Sequence, residues 1–245
     1  ACVEHTAAGG LLADAGPERG DVQPRETVSG TTWAQVRGDI LKGRLAPGRK
    51  LKLDRLRADY GASISILREV LNRLATEGLV IAEGQRGFEV APVSAANLQE
   101  LAELRLLVEG RALEDSFRNG DLDWEARILA AHHKLANVEE AMSRGDLSRV
   151  DMWKRLDGAF HQALISACGS EVLMHLHEGV FDKYLRYQMI ALSFRGKVAM
   201  AEHRALLDAA LARDHAAALA LLQGHLRGGV EHALASDSIG RHARG

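Results

Sequence analysis

Residues 67–90 combine an amphipathic helix, an abrupt helix end and a short hairpin, and no other segment constrains the fold as strongly. Gly78 ends the helix, because glycine readily takes the left-handed conformation found after a helix C-terminus. Val80–Ala82 and Phe88–Val90 have the composition of short strands, and the five residues between them form a turn. The apolar residues of the helix recur at helical spacing and should pack inward: Leu67, Val70, Leu71 and Leu74.

The opposite face of this helix carries small polar side chains with arginines on its flanks. Hydroxyl, amide and guanidinium groups at such positions suit contacts to phosphates and base edges. A helix for the DNA groove, followed by a hairpin with a basic tip, is the arrangement of a winged helix-turn-helix. We therefore predict DNA contacts from this helix, the short helix and turn before it, and the hairpin tip: Arg55, Ser63, Ser65, Arg68, Asn72, Arg73, Gln85 and Arg86.

Helical patterns dominate the rest of the chain. Two short helices, at about residues 32–43 and 54–60, precede the amphipathic helix. Beyond residue 93 no strand alternation is present, and the pattern predicts six helices, at about 96–118, 123–144, 148–167, 170–192, 196–212 and 214–235. We predict a mostly α fold, with an N-terminal winged helix-turn-helix of three helices and a two-stranded wing, followed by an all-α antiparallel helical bundle.

The same patterns divide the chain into five segments. We predict a mobile tail at 1–30, a DNA-binding domain at 31–92, a linker at 93–97, an all-helical domain at 98–235 and a second tail at 236–245. Positive charge is concentrated in the DNA-binding segment. The whole chain has a net charge of −2, whereas residues 29–92 carry 11 Lys and Arg against 7 Asp and Glu. An excess of this size is also common on solvated surfaces.

The composition of the chain also indicates the cellular compartment in which the protein works. No apolar run approaches the roughly 20 residues of a membrane span, and the N-terminus lacks the basic start and apolar centre of a secretion signal. Cys2 and Cys168 make no disulfide framework, which fits a reducing compartment. We therefore expect a cytoplasmic protein.

Ionisable residues interrupt apolar faces of three predicted helices. Asp157 and His161 are four residues apart and share one helical face, while His203 and His225 lie on the apolar faces of two later helices. Unpaired burial of such groups is costly, and a shared cation removes that cost. One carboxylate and three imidazoles suit Zn²⁺, Ni²⁺ or Mn²⁺. A buried histidine is more often hydrogen-bonded to protein, so spacing alone leaves both interpretations open.

Two arginines are candidates for binding a carboxylate ligand. Arg105 lies on an apolar stripe, where its guanidinium could hold a carboxylate with two hydrogen bonds. The alternative is an internal ion pair with Glu109, four residues on. Arg186 is the second candidate, and its alternative is a solvated charge on a helix face.

Several short motifs follow one another in the first domain: ILKGRL at 40–45 with Pro47 and Gly48, LREVL at 67–71, RL at 73–74, EGLV at 77–80, and RG at 86–87 before FEV at 88–90. With these motifs the first domain resembles the GntR superfamily of bacterial transcription regulators, and the all-helical remainder is similar to the FadR-type effector domain called FCD. Ile64 and Ile66 stand where the family usually has Arg and Pro, and Asp54 where some members have Arg. Operator sequences of relatives therefore do not transfer.

The resemblance to FCD domains implies which residues bind a metal ion. Many FCD domains hold a metal with an Asp-x-x-x-His pair on one helix and single histidines on two later helices, and Asp157, His161, His203 and His225 match that order. We expect a divalent metal, with Zn²⁺ the first choice and Ni²⁺ or Mn²⁺ as alternatives. His232 is a weaker substitute ligand. The other histidines are assigned to surface or partly packed positions: His132, His133, His175, His177 and His215.

These observations favour a transcription regulator that is not an enzyme. Its partners would be a double-stranded DNA operator, a small organic-acid effector bound at the metal site, and a second copy of the chain in a homodimer. One alternative is a metal-dependent hydrolase with an appended DNA-binding domain. Four protein ligands leave little room for that chemistry, and Glu202 points about 100° away from its neighbour His203 on a helix, so it is a poor general base. A DNA-binding scaffold without an effector is a third possibility.

Overall fold

The computed structural model describes residues 27–82, 84, 87–191, 194–236 and 239. The N-terminal domain contains α1 (Val28–Leu41), β1 (Lys50–Leu51), α2 (Leu53–Tyr60), α3 (Ile64–Thr76), β2 (Val80–Ala82) and β3 (Phe88–Val90). The second domain contains α4 (Ala95–Asn119), α5 (Leu122–Ser143), a 3₁₀ turn (Leu147–Arg149), α6 (Val150–Ile165), α7 (Glu171–Ala191), α8 (Lys197–Leu211) and α9 (His215–Ala235). The predicted mostly helical fold and its six C-terminal helices are confirmed.

The amphipathic helix α3 forms the centre of the N-terminal domain. All four of its predicted inward residues are buried, and they pack with Val36 and Ile40 of α1. Ser63 caps the helix, because its hydroxyl accepts a hydrogen bond from the backbone N–H of Ile66 at 3.3 Å. Gly78 follows the helix with a φ of 73°, which a side chain would strain.

The predicted two-stranded wing is present as the antiparallel pair β2 and β3, and a third strand that we did not predict, β1, extends its sheet. The strand order is β1-β3-β2, with both pairings antiparallel. Strand β1 pairs Lys50 with Glu89 and Leu51 with Phe88. Two residues are too short to show the alternation that identifies a strand in a sequence. The pairing arises because the preceding turn brings the N–H of Gly48 to 3.0 Å from the carbonyl oxygen of Val90.

Two helices begin earlier than their apolar patterns indicate. Helix α1 takes in residues 28–30, which we predicted as tail, and its cap is Thr27, which accepts from the N–H of Gly30 at 3.1 Å. Helix α4 takes in residues 95–97 of the predicted linker, because Ser94 caps it. Polar caps, rather than the first apolar residue, set these boundaries. The predicted tail at residues 1–26 and most of 237–245 lie outside the described residues, and Ile239 is buried.

The second domain is a helical bundle around one apolar core. Helix α5 packs on α6 and α8, while α4 packs between α7 and α9. Trp124, Phe160 and Tyr184 are among the largest buried side chains. In the part of the chain that the structure describes, no helix has the length and hydropathy needed to cross a membrane.

Helix α7 also joins the two domains. It packs against α1, and Arg37 of α1 donates a hydrogen bond to Asp182 of α7. Farther along α7, the hydroxyl of Tyr187 accepts a hydrogen bond from the N–H of Ser94 at 3.1 Å and donates one to Asn97 at 2.8 Å. The same helix therefore contacts both the DNA-binding domain and the start of α4.

Candidate metal centre and nucleic-acid interface

Four buried side chains from three helices meet inside the second domain. Helix α6 supplies Asp157 and His161, α8 supplies His203 and α9 supplies His225. One ligand atom from each lies within 4.8 Å of the others. The four residues predicted from spacing and resemblance thus share a site with the dimensions of a metal centre.

Each imidazole of this cluster is oriented by its own carboxylate. Nδ1 of His203 lies 2.8 Å from Glu139, Nδ1 of His225 lies 2.8 Å from Glu202, and Nδ1 of His161 contacts Glu109. Nε2 of His161 and Nε2 of His203 are buried without a well-directed hydrogen bond, although the latter lies 3.2 Å from Asp157. A carboxylate behind each ligating histidine is the usual outer arrangement of protein metal sites, because it fixes the ring and the tautomer.

The N-terminal domain presents a separate polar surface. Ser65, Arg68 and Asn72 are exposed on one face of α3. Arg68 and Asn72 line an open cavity of about 680 Å³ between α3 and the sheet, together with Lys50 and Lys52. We did not predict these two lysines as part of the DNA interface; Lys50 lies in β1, which was not predicted, and Lys52 precedes α2. A groove with Arg and Lys on its walls suits a phosphate backbone.

Two known families match the chain. The family model described as "Bacterial regulatory proteins, gntR family" matches residues 29–90, and the model of the FCD domain matches residues 100–228. An uncharacterized HTH-type transcriptional regulator, BphR of Paraburkholderia xenovorans, is 34% identical over 81% of this chain and 82% of its own length. The HTH-type transcriptional repressor GlaR of Escherichia coli is 32% identical over 82% of this chain and 92% of its own length.

The chain belongs to the GntR family of bacterial regulators. It is a DNA-binding transcription regulator with an FCD domain, as the resemblance implied. Solved structures show the same fold at low identity. A GntR regulator from Rhodococcus sp. RHA1 has a TM-score of 0.69 at 24% identity, covering 84% of this chain and 97% of its own. E. coli McbR/YncC has a TM-score of 0.70 at 19% identity, covering 85% and 98%.

The other residues that we predicted to contact DNA in this GntR regulator differ in their exposure and in the side chains around them. Ser63 and Arg55 are exposed, with Ser63 capping α3 and Arg55 lying 3.8 Å from Asp59. Arg73 stacks 3.8 Å from the ring of Trp33 and lies 3.6 Å from Glu77, so it faces the domain junction. Gln85 and Arg86 lie outside the described residues.

Asp157 of the FCD cluster and Glu109 behind His161 are held in their charged form. Burial would raise the pKa of Asp157, but the close approach of His203, whose Nε2 lies 3.2 Å away, and the charge of Lys154 outweigh it, and the pKa falls well below its ordinary value. Burial would likewise raise the pKa of Glu109, and the charges of His161 and Arg105 outweigh it. The cluster therefore presents negative charge to its centre.

The histidines of the cluster respond differently to burial. Burial tends to lower the pKa of His203, but Asp157 and Glu139 raise it to about 9. Burial lowers the pKa of His225 to about 3, with a further lowering from the charges of His203 and His161. The ionised carboxylate of Asp157 and the three imidazoles together form the donor set that a borderline divalent cation prefers, and binding such a cation would displace the proton from His203. The residues fit a divalent metal.

Sequence analysis missed most of the outer partners of these ligands. Glu109 was considered only as a partner of Arg105, and Glu139 was not considered. Glu202 points away from His203, as expected for neighbours on a helix, and for that reason it reaches His225 on α9. No pattern in the sequence pairs a glutamate on one helix with a histidine on another.

One histidine assignment was wrong. His177 is fully buried, and its Nε2 lies 3.0 Å from Glu109, so it is not a surface residue. His232 is exposed and outside the cluster, so it is not a substitute ligand. The other histidines are exposed or partly buried, as predicted: His132, His133, His175 and His215.

The two predicted effector-binding arginines occupy different places. Nε of Arg105 donates to Glu109 at 2.9 Å, so the internal ion pair is present. Its two terminal nitrogens are nevertheless buried without a hydrogen-bond partner, and the guanidinium lies 4.4 Å from the ring centre of Phe181. Arg186 instead donates to the carbonyl oxygen of Ala91, where the two domains join, and is thus neither a solvated charge nor part of the cluster.

Proposed function

We propose that the operator affinity of this regulator is controlled by a small organic acid, bound between a divalent metal and Arg105 in the FCD domain. The proposal depends on the surroundings of Arg105. It shares Glu109 with the metal-ligand candidate His161 and contacts Phe181, whose ring centre is 6.0 Å from that of His161. Two unpartnered guanidinium nitrogens therefore lie buried beside the candidate metal centre.

The chemistry of Arg105 favours an anionic oxygen ligand. Leaving a buried charged donor without a partner is expensive, and a carboxylate satisfies two guanidinium N–H groups at once. The ligands of the metal would be Asp157, His161, His203 and His225, with Zn²⁺ the first choice and Ni²⁺ or Mn²⁺ as alternatives. When bound, such an ion supplies a Lewis-acidic positive charge for a further oxygen of the effector.

Helix α7 supports a physical route from this site to DNA. One face of α7 carries His177, which contacts Glu109, and Phe181, which contacts Arg105. The next residue, Asp182, accepts a hydrogen bond from Arg37 of the DNA-binding domain. A ligand that repositions the inward face of α7 would therefore also move the carboxylate of Asp182.

The contact continues from Arg37 to the end of the recognition helix α3. Nε of Arg37 donates to Glu77 at 3.0 Å, and Glu77 is the C-terminal cap residue of α3. Trp33 also donates to Glu77, at 2.8 Å, and Arg73 stacks on the same indole ring. We define Asp182, Arg37 and Glu77 as the junction bridge. The proposed control acts by changing the population of domain orientations through this bridge.

We also propose that the regulator acts as a cytoplasmic homodimer on a near-palindromic operator. Two copies place two recognition helices on successive turns of one DNA face, and dyad symmetry in the operator then matches the symmetry of the protein. The relatives named as transcriptional regulators support the DNA partner.

The second domain is proposed to bind its organic acid without turning it over. Hydrolysis at a metal requires a base free to activate water. Glu109, Glu139 and Glu202 each contact a histidine of the cluster, and Glu202 also accepts from Arg195 at 2.9 Å. Turnover of small esters or lactones that disappears on chelation would contradict this part of the proposal.

Binding to genomic operator fragments tests the proposal. Fluorescence anisotropy would be measured across a salt series, with the metal-loaded and chelated protein, against a panel of small mono- and dicarboxylic acids. We expect salt-sensitive binding that at least one acid changes only when the metal is present. Arg105→Gln should keep the metal and DNA binding but lose the response to the acid. No salt-sensitive binding under any condition, or an unchanged response in Arg105→Gln, would overturn it.

A further inference from the structure

A cavity of about 1070 Å³ lies where helix α1 of the DNA-binding domain meets α6 and α7 of the FCD domain. Ligand pockets usually measure about 300–1000 Å³, and many of them lie at domain interfaces. Helices α6 and α7 run antiparallel along the cavity, since Gly158 packs on Phe181 and Gln162 lies 3.1 Å from His177. The cavity is therefore large enough, and suitably placed, to hold a ligand that contacts both domains.

The walls of this cavity are mostly apolar. Helix α7 contributes a stripe of residues at helical spacing and the other two helices add one residue each: Met174, Phe181, Leu185 and Met189, with Leu41 and Met152. From Leu185 to Met174 the stripe is about 16 Å long. Methionine side chains are flexible and adapt to the shape of a ligand. The walls thus suit an extended apolar molecule.

The cavity offers an anion one basic group that is not already paired. Among the residues that the structure describes, the side chain of Arg155 makes no ion pair and no hydrogen bond. Two other basic side chains at this end are neutralised, Lys42 by Asp151 at 2.6 Å and Arg149 by Asp146 at 2.7 Å. A guanidinium can hold a carboxylate with two parallel hydrogen bonds. This end of the cavity therefore suits one carboxylate.

Lys154 also lines the cavity, but its ammonium group has other contacts. That group donates a hydrogen bond to Gln188 and lies 3.6 Å from the ring centre of Trp153, and neither of these residues lines the cavity. Arg155, rather than Lys154, is thus the group for a carboxylate.

The charges of the cavity also orient a ligand. Because α6 and α7 are antiparallel, Arg155 lies near the level of Leu185, and Glu178 lies two turns away, about 10 Å along α7. A carboxylate is attracted to Arg155 and repelled by Glu178. The apolar part of the ligand would then extend along the stripe toward Met174.

Phe181 separates this cavity from the candidate metal centre. The guanidinium of Arg105 lies 4.4 Å from the centre of the ring, and a Cβ atom on Gly158 would lie only 2.9 Å from the edge of the same ring. None of the four metal-ligand candidates lines the cavity. A molecule bound in the cavity would therefore occupy a site distinct from that of the metal-dependent effector.

We propose that this cavity, which we call the junction cavity, binds a monocarboxylate with an extended apolar body, and that the bound molecule changes operator affinity. The carboxylate binds Arg155 and the apolar body lies on the α7 stripe. Gly38 and Leu41 of α1 form part of the wall, so the ligand contacts the DNA-binding domain directly. It favours those domain orientations in which the cavity fits it, and so shifts their population.

Isothermal titration calorimetry of the full chain loaded with Zn²⁺ tests the junction cavity, with decanoate as the probe. We expect decanoate to bind and acetate, which lacks the apolar body, not to compete. Binding should persist in Asp157→Asn, which removes a proposed metal ligand. No binding of decanoate, or binding that is lost in a folded Asp157→Asn chain, would overturn the proposal.

Two variants locate the probe, each with a matched control. Leu185→Trp fills the cavity and should weaken decanoate binding at least about tenfold. Leu176→Trp makes the same change on α7 at a leucine that is 52% exposed and lies outside the cavity. Arg155→Gln should weaken the binding of decanoate about tenfold but not that of decanol. Arg127→Gln removes an exposed arginine from α5 as its control. Unchanged melting curves and zinc content would show that the variants are folded.

Charge inversion and operator binding complete the test. Decylamine has the same apolar body with the opposite charge and should bind more weakly than decanoate. Decanoate should change operator affinity, measured by anisotropy, in the wild type but not in Leu185→Trp. Wild-type decanoate affinity in Leu185→Trp would overturn the site, and decylamine binding as tight as that of decanoate would overturn the role of Arg155. Bound decanoate that leaves operator affinity unchanged would overturn the control of DNA binding.

Discussion

Single residues decide how the candidate metal ligands point. An imidazole can rotate and exchange tautomers, so a histidine on the correct helical face is not yet a ligand. In this regulator, Glu109, Glu139 and Glu202 each contact one Nδ1 and leave the other nitrogen facing the cluster. The metal centre therefore depends on residues that need not touch the metal.

Glu139→Gln should weaken metal binding without unfolding the domain. The amide keeps the size of the side chain but removes the charge behind His203, and changes to such outer partners typically weaken metal affinity by about 10–100-fold. Competition with a chelator measures the affinity. Glu140→Gln is the control, because the neighbouring Glu140 is exposed and its only ion pair among the residues that the structure describes is with Arg144. Equal affinities in the two variants would contradict an orienting role for Glu139.

His203→Ala should lower metal content and thermal stability together. The substitution removes one of the four proposed ligands and leaves Glu139 and Asp157 buried without their shared partner. Elemental analysis and a melting curve of the same sample test the expectation. His232→Ala removes an exposed histidine and should change neither quantity. Full metal occupancy in His203→Ala would count against the site.

At the scale of single elements, the recognition helix is defined by its two faces. The apolar face of α3 is buried in the N-terminal core, which leaves Arg68 and Asn72 exposed along the cavity beside the sheet. Lys50 of strand β1 and Lys52, which precedes α2, complete that cavity. The amphipathic period was sufficient to predict α3, whereas β1 depends on pairing with a strand 38 residues later in the chain.

Arg68→Ala should weaken operator binding and leave the fold unchanged. If Arg68 contacts a phosphate, the salt dependence of binding should also fall by about one counterion. Anisotropy titrations at several salt concentrations measure both quantities. Arg127→Ala removes the same charge from the exposed side of α5 and serves as the control. Unchanged affinity in Arg68→Ala would count against its assignment to the DNA interface.

At the scale of the whole molecule, α7 connects the two functional sites. Its Phe181 contacts His161 of the cluster and its His177 contacts Glu109 behind that histidine, while its Asp182 contacts the DNA-binding domain. Coupling between distant sites requires an element whose position both sites influence. Helix α7 meets the geometric part of that requirement.

Asp182→Asn should separate effector binding from DNA binding. The amide weakens the junction bridge, so metal content and effector affinity should stay near wild type while the effector changes operator affinity much less. Glu178→Gln, one turn earlier on α7 and exposed, is the control. Anisotropy with and without the acid gives the coupling factor. A wild-type coupling factor in Asp182→Asn would exclude the bridge as the route.

The sequence by itself determined the helices, the inward face of α3, the wing strands β2 and β3, and the four metal-ligand candidates. Each of these features depends on residue spacing within one segment or on a family motif. Residue spacing can be read from the sequence without knowing which elements pack against each other. The tertiary structure alone decided the carboxylate behind each histidine, the burial of His177, the place of Arg186 and the third strand. These depend on which helix lies beside which, and side chains up to 145 residues apart, such as Arg37 and Asp182, meet only after the chain has folded.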